Sequence, residues 1–236
     1  MNRVAQTVNI ICVLTLLSLA YGCFGGPGPV QKYLRLSLET REAGHGHAPA
    51  TGIKDPDEKL ILALKELTEL PALNRTAVLL AQGSVLTPST TWYWEGTPAE
   101  VLSQALVHGL SRSQTYNVAW PYRPRVFRSA QVSGRVLAFE VHSGGTGRKR
   151  FFTLTFHLDL WDAHGKMWLG GKTFHGKQEI QGFSPELVTV AASRAVAATV
   201  QEAIGWLESH ARKIKALDPW PQVKFKSCKP LCGKGG

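Results

Sequence analysis

The chain has 236 residues, 44% of them hydrophobic, and 27 Lys and Arg against 17 Asp and Glu, a formal net charge of +10. That length suits one domain with a proper core and a few appendages, and excludes two full domains. The basic excess points to anionic lipid surfaces or acidic protein partners rather than nucleic acid, because the start of the chain predicts export.

Arg3 is the only charged residue among the first 22, and residues 8–20 form an apolar stretch, about 13 residues long and suited to a signal-peptide core. Ala20, Tyr21 and Gly22 follow, then Cys23. The run resembles the lipobox of bacterial lipoproteins, an aliphatic or small residue, a small residue, and Gly or Ala before Cys, although Tyr21 is bulkier than that pattern. The resemblance implies a diacylglyceryl group on the Cys23 thiol, cleavage between Gly22 and Cys23, and acylation of the new amine, with palmitate among the chains. Each buried methylene contributes about 0.8 kcal/mol, and two or more chains hold a protein stably at a membrane. The alternative is that residues 4–24 remain as an uncleaved membrane helix; Asn9, Thr15, Ser18 and the Gly/Pro cluster after Cys23 argue against it. Phe24, in place of the Asp that commonly retains lipoproteins in the inner membrane, favours the outer membrane, facing the periplasm. Cleavage leaves 236 − 22 = 214 residues with 26 Lys and Arg against 17 Asp and Glu, an excess of +9.

Gly25-Gly26-Pro27-Gly28-Pro29 can form neither helix nor central strand, so residues 23–31 read as a lipidated tether. Residues 32–38 alternate, with Leu34, Leu36 and Leu38 facing one way, as a first strand. Residues 39–57 are a loop or insertion; its Gly44-His45-Gly46-His47 offers two His without a carboxylate pattern, and no metal site is assigned. Residues 59–70 are apolar and could be helix or strand by periodicity alone, and residues 76–86 are a further strand candidate. After Thr91-Trp92-Tyr93-Trp94-Glu95 a helix begins, with Thr97 as N-cap, Pro98 in the first position, Glu100 completing a capping box, and Leu102, Ala105, Leu106 and Leu110 as its buried stripe.

Residues 128–142 and 151–161 read as neighbouring strands. In the second, Phe152, Leu154, Phe156, Leu158 and Leu160 face one side and Thr153, Thr155, His157 and Asp159 the other, as in an antiparallel sheet covered by helices on one side. Residues 143–150 join them as a hairpin tip, not a phosphate loop, because the P-loop order of glycines and Lys-Ser/Thr is missing. Asp162-Ala163-His164-Gly165 turns the chain into a third strand over residues 166–178. Ser184-Pro185 opens the last helix, along which Val188, Ala192, Ala195, Val196, Ala203, Ile204 and Leu207 recur with helical spacing. From Lys213 the chain carries six Lys against the single Asp218. Cys228 and Cys232 are an even pair in an oxidising compartment and a candidate disulfide; free thiols, or a metal short of two ligands, are the alternatives.

This order of lipobox, Lys32-Tyr33-Leu34 strand, Trp92 to Glu95 before a capped helix, three meandering strands with Asp159-Leu160-Trp161-Asp162 and Gly165, and a terminal Ala-rich helix resembles the ABC-type transport auxiliary lipoproteins, the family of the paraquat-inducible lipoprotein. The likeness spans residues 32–212; the 39–57 segment and the Cys-containing tail depart from it. It implies strand for residues 59–70. It also implies a non-catalytic auxiliary role in an envelope lipid-transport system, beside an ABC-type membrane component and Mce-type periplasmic rings or tubes. The expected fold is α+β, a single domain with a mainly antiparallel or mixed sheet and helices on one face. The expected organisation is signal peptide 1–22, tether 23–31, domain 32–213 and basic tail 214–236.

The sequence contains no Gly-x-Ser-x-Gly elbow, Gly109 to Ser113 failing at the last position, and no His-Glu-x-x-His or Cys-His arrangement, so no enzyme, cofactor or catalytic residue is expected. Trp92, Tyr93 and Trp94 are candidate partner contacts, since aromatics supply large contact area. On that reading Trp94→Ala abolishes partner binding and leaves stability nearly intact; alternation along a strand would instead place Trp92 and Trp94 together in the core. A second function class, direct binding of anionic lipid or lipopolysaccharide, follows from the basic excess and the Lys-rich tail. The sequence does not set an oligomeric state.

Overall fold

A computed structural model of the chain describes residues 28–37, 59–142 and 149–217. The fold among them is α+β, a nine-stranded mixed sheet with helices on one face. Cys23 and Gly22, the Gly44 to His47 segment, and Cys228 and Cys232 lie outside the described residues.

The spine of the sheet is β7 (Ala130–His142). On one edge it pairs antiparallel with β8 (Arg150–Asp162) from Ala130↔Asp162 to His142↔Phe151, and β8 pairs in turn with β9 (Trp168–Ile180). This is the expected meander, with the third strand shifted two residues along. The other edge of β7 is shared by three parallel partners in succession: β2 (Leu60–Leu64) opposite Ala130, β3 (Thr68–Glu69) opposite Arg135, and β4 (Ala77–Gln82) opposite Glu140.

Two expected strands are therefore divided. Residues 59–70 are strand rather than helix, but they break into β2 and β3. Within β2, Leu62 and Leu64 are fully buried, as suits a strand flanked on both edges. Residues 76–86 turn back at Gly83, whose φ of +61° suits glycine, and continue as β5 (Val85–Trp94). β1 (Lys32–Leu34) lies parallel on the outer edge of β5. β6 (Tyr116–Ala119), which periodicity does not mark, lies parallel on the outer edge of β2.

Helix α1 (Pro98–Ser111) provides the crossover from β5 to β6. The amide of Thr97 donates to Glu100 Oε2 (2.8 Å) and the amide of Glu100 to Thr97 Oγ1 (3.4 Å), the expected capping box. A carboxylate of β3 adds to it: Glu69 Oε2 accepts from the amide of Ala99 at 2.9 Å, a negative charge at the positive end of the helix. Helix α2 (Pro185–Ser209) is capped by Ser184 and lies over β8 and β9, and a short α3 (Ala211–Leu217) follows. α2 is the one helix among the described residues long and apolar enough to cross a membrane, yet its expected stripe from Val188 to Leu207 is buried against the sheet.

Glycine sets how closely the layers approach. A Cβ at Gly109 of α1 would stand 2.5 Å from Ile204 Cδ1 of α2, and one at Gly176 of β9 would meet the hydroxyl of Thr199. The C-terminal turn of α2 is pinned to β6, where the buried Tyr116 hydroxyl donates to the Leu207 carbonyl at 2.6 Å. Burial, and then the neighbouring Glu208 carboxylate, push the Tyr116 phenol well above its ordinary range. Because the same carbonyl also accepts from the amide of His210, Tyr116→Phe is expected to cost about 1 kcal/mol. That loss would appear as a lower urea midpoint at unchanged m-value; an unchanged midpoint would show the bond to be dispensable.

Candidate functional site

Helices cover one face of the sheet, and the alternation of β8 places Thr153, Thr155, His157, Asp159 and Trp161 on the other. Register sets His157 between Arg135 of β7 and Thr173 of β9, and Asp159 between Ser133 and Gly171. His157 Nδ1 lies 2.9 Å from Thr173 Oγ1 and its Nε2 lies 3.4 Å from Asp159 Oδ1, which also accepts from Trp168 Nε1 at 2.9 Å. Nearby, Trp161 Nε1 donates to Ser133 Oγ at 3.2 Å, and His175 Nδ1 sits 3.2 Å from Thr155 Oγ1. Gly171 leaves room for this lattice, since a Cβ there would stand 2.9 Å from Asp159 Oδ1 and 3.1 Å from His157 Nε2.

Thr173, His157 and Asp159 follow the order of a hydroxyl–imidazole–carboxylate relay, but Asp159 divides its oxygen between imidazole and indole. The His157 and Asp159 side chains are 37% and 33% exposed, so water competes for each contact. Polar groups that satisfy one another across a rigid strand pair are held in fixed positions, with Trp161 and Trp168 among them. Among the described residues no group of three or more His, Cys, Asp or Glu could hold a metal ion.

At the end of the sheet where β7 begins, residues 120–128 fold over this open face. Tyr122 donates to Gln131 Oε1 (3.4 Å), and the Arg128 guanidinium lies over the Tyr122 ring, 5.1 Å from its centroid. Arg128 also donates to the carbonyls of Arg123 (3.3 Å), Pro124 (3.1 Å) and, on the neighbouring hairpin, Ala163 (2.8 Å). The hairpin is held in turn by Asp162, whose Oδ1 accepts from the amides of Lys166 (2.6 Å) and Met167 (3.0 Å). Partial burial pulls the Asp162 pKa upward, but hydrogen bonds from the backbone of Met167, Lys166 and His164 outweigh it and hold the carboxyl below its usual value.

The three aromatic contact candidates are not brought together as a surface. Trp94 is 1% exposed and sits edge-on to Phe139 (5.2 Å) and Phe152 (5.9 Å) in the core. Its role as a partner contact is corrected: alternation along β5 turns it inward. Trp92, on the same side, packs partly buried against Phe183 at 4.8 Å. Tyr93, on the other, is half-buried against Tyr33 and donates to the Thr90 carbonyl. The alternation of β8 already set Thr153, Thr155, His157 and Asp159 on the uncovered side, but their partners Ser133, Trp168 and Thr173 converge from separate strands and were not legible; for the 120–128 loop the one local signal was the Trp120-Pro-Tyr-Arg-Pro-Arg-Val-Phe-Arg128 run.

No protein-family model and no curated protein matches the sequence. Among solved structures, protein XCC0632 from Xanthomonas campestris, described under the family model DUF330, superposes with a TM-score of 0.65 at 13% identity, over 78% of this chain and 99% of that one. The crystal structure of an uncharacterized protein superposes with a TM-score of 0.58 at 12% identity, over 75% of this chain and 99% of that one. At such identities the likeness is one of fold, and the chain has the fold of XCC0632 across nearly the whole of that protein.

Proposed function

We propose that the mature chain is a lipid-anchored protein of the bacterial cell envelope, held by Cys23 at the outer membrane and facing the periplasm. There it serves, without catalysis or cofactor, as a docking component of an ABC/Mce-type envelope lipid-transport system. The observation that supports docking over chemistry is the open sheet face: its polar groups are paired with one another, half-exposed and interleaved with Trp161 and Trp168. The order of sequence features from the lipobox to the last helix supports the choice of system.

Trp168, 56% exposed, separates contact from structure. Trp168→Ala is expected to weaken co-purification with an Mce-type periplasmic component about tenfold, as a contact aromatic does, while its denaturation midpoint stays near that of the parent. Undiminished co-purification would remove the open face from the docking role. A second reading, direct contact with anionic lipid, is favoured by the basic and aromatic end of the sheet.

A further inference from the structure

Residues 101–139 contain no Asp or Glu and five Arg, three of them within residues 120–128. In that loop Trp120, Val126 and Phe127 are 44%, 44% and 49% exposed, with Arg123 and Arg125 exposed between them. The bond from Arg128 to Ala163 sets the loop beside the 163–167 hairpin, where Lys166 and Met167 are also exposed. Two adjacent loops thus present large apolar side chains and cations from one end of the sheet.

Exposed Trp and Phe interleaved with Arg suit a membrane interface, where indole rings settle at headgroup depth and cations meet phosphate. Arg128 is a positioning residue here, since its bonds to three carbonyls hold the loop in one shape and leave Arg123 and Arg125 outward. The position of the anchor adds to this. β1 runs opposite to β7, because it is parallel to β5 while β5 is antiparallel to β4 and β4 parallel to β7. The chain therefore enters the sheet towards the end where β7 finishes, with Lys32 near the level of Phe139, about 30 Å of strand from the loops at the start of β7. Eight residues, 24–31, separate Cys23 from β1, a reach of at most about 29 Å. The loops can meet the anchoring bilayer when the sheet lies along it.

The geometry points to a second bilayer contact, in which the sheet end formed by residues 120–128 and the adjoining hairpin binds anionic phospholipid headgroups, Arg123 and Arg125 on phosphates and Trp120 and Phe127 at the acyl boundary. The orientation rests on the anchor proposed above; the contact itself does not need acylation. Two-point attachment would fix the tilt of the molecule and turn one face of its sheet in a defined direction.

The mature chain with Cys23→Ser tests this by co-sedimentation with equimolar phosphatidylglycerol–phosphatidylcholine vesicles and with phosphatidylcholine vesicles alone. Binding is expected on the anionic vesicles, weakening with salt. The triple variant Trp120→Ala/Arg123→Ala/Arg125→Ala is expected to lose about thirty-fold or more in partitioning. Its circular dichroism melting curve should match the parent's, because all three side chains are exposed. A second variant, Lys224, Lys226, Lys229 and Lys234 all to Ala, should keep at least the larger share of binding. The inference is overturned if the triple variant partitions like the parent, if the tail variant alone abolishes binding, or if the parent ignores anionic vesicles. Failure of the anchor would appear separately, as absence of palmitate from the lipidated chain.

Discussion

Replacing Trp94 by alanine is expected to lower folding stability by about 3–5 kcal/mol. A domain of this kind has about 5–15 kcal/mol in total, so much of the variant would be near the threshold of folding. The cause is packing: Trp94 is 1% exposed and wedged against Phe139 and Phe152, which are themselves edge-to-face at 5.0 Å, and removing the indole opens a cavity that three rigid strands cannot collapse around. Trp94→Phe should cost less, because it keeps a ring and removes an indole N–H that has no hydrogen-bond partner among the described residues. Urea denaturation of the mature chain would rank the variants parent, then Phe, then Ala. A Trp94→Ala protein with the parent's midpoint and lost partner binding would restore the surface role that a linear reading of Trp92-Tyr93-Trp94 suggests.

Cys23→Ala should abolish palmitate incorporation and leave a precursor longer than the mature chain by the 22-residue signal. Without its thiol the residue cannot form the thioether that precedes cleavage. The expected effect is large because the proposed anchor would be a sum of many methylenes at about 0.8 kcal/mol each. Metabolic labelling and intact mass together check it. An unlabelled parent whose mass matches the full 236-residue chain, unaltered in cleavage by Cys23→Ala, would favour the uncleaved membrane helix over residues 4–24.

Where the chain carried its own local chemistry, sequence and structure agree. Thr97, Pro98 and Glu100 mark the start of α1 because a capping box is made within four residues, and Ser184-Pro185 marks α2 because an N-cap hydroxyl and a first-position proline are just as local. The alternation of β8 was equally legible: Phe152 to Leu160 are fully buried at every second position. Strand breaks were less so. Gly83 stands with Gln82 and Ser84 between two apolar stretches, and the return of β5 along β4 shows that it makes a turn. β6 is four residues long, too short for a periodicity to register, and is strand because β2 offers it a hydrogen-bonding edge.

The sequence alone determined the elements whose signals lie within a few residues of one another: both capped helices, the three meandering strands, and with them an α+β class. Tertiary structure alone decided between the core and the surface readings of the Trp92-Tyr93-Trp94 run, because that depends on which side of the sheet the helices occupy. It buried Trp94 beneath them and left Trp161 and Trp168 on the open side, where register across three strands joins residues far apart in the chain into the His157–Asp159–Trp168 lattice. It also placed the 120–128 loop and the entry of β1 towards opposite ends, since strand direction is a property of pairing and not of any segment by itself.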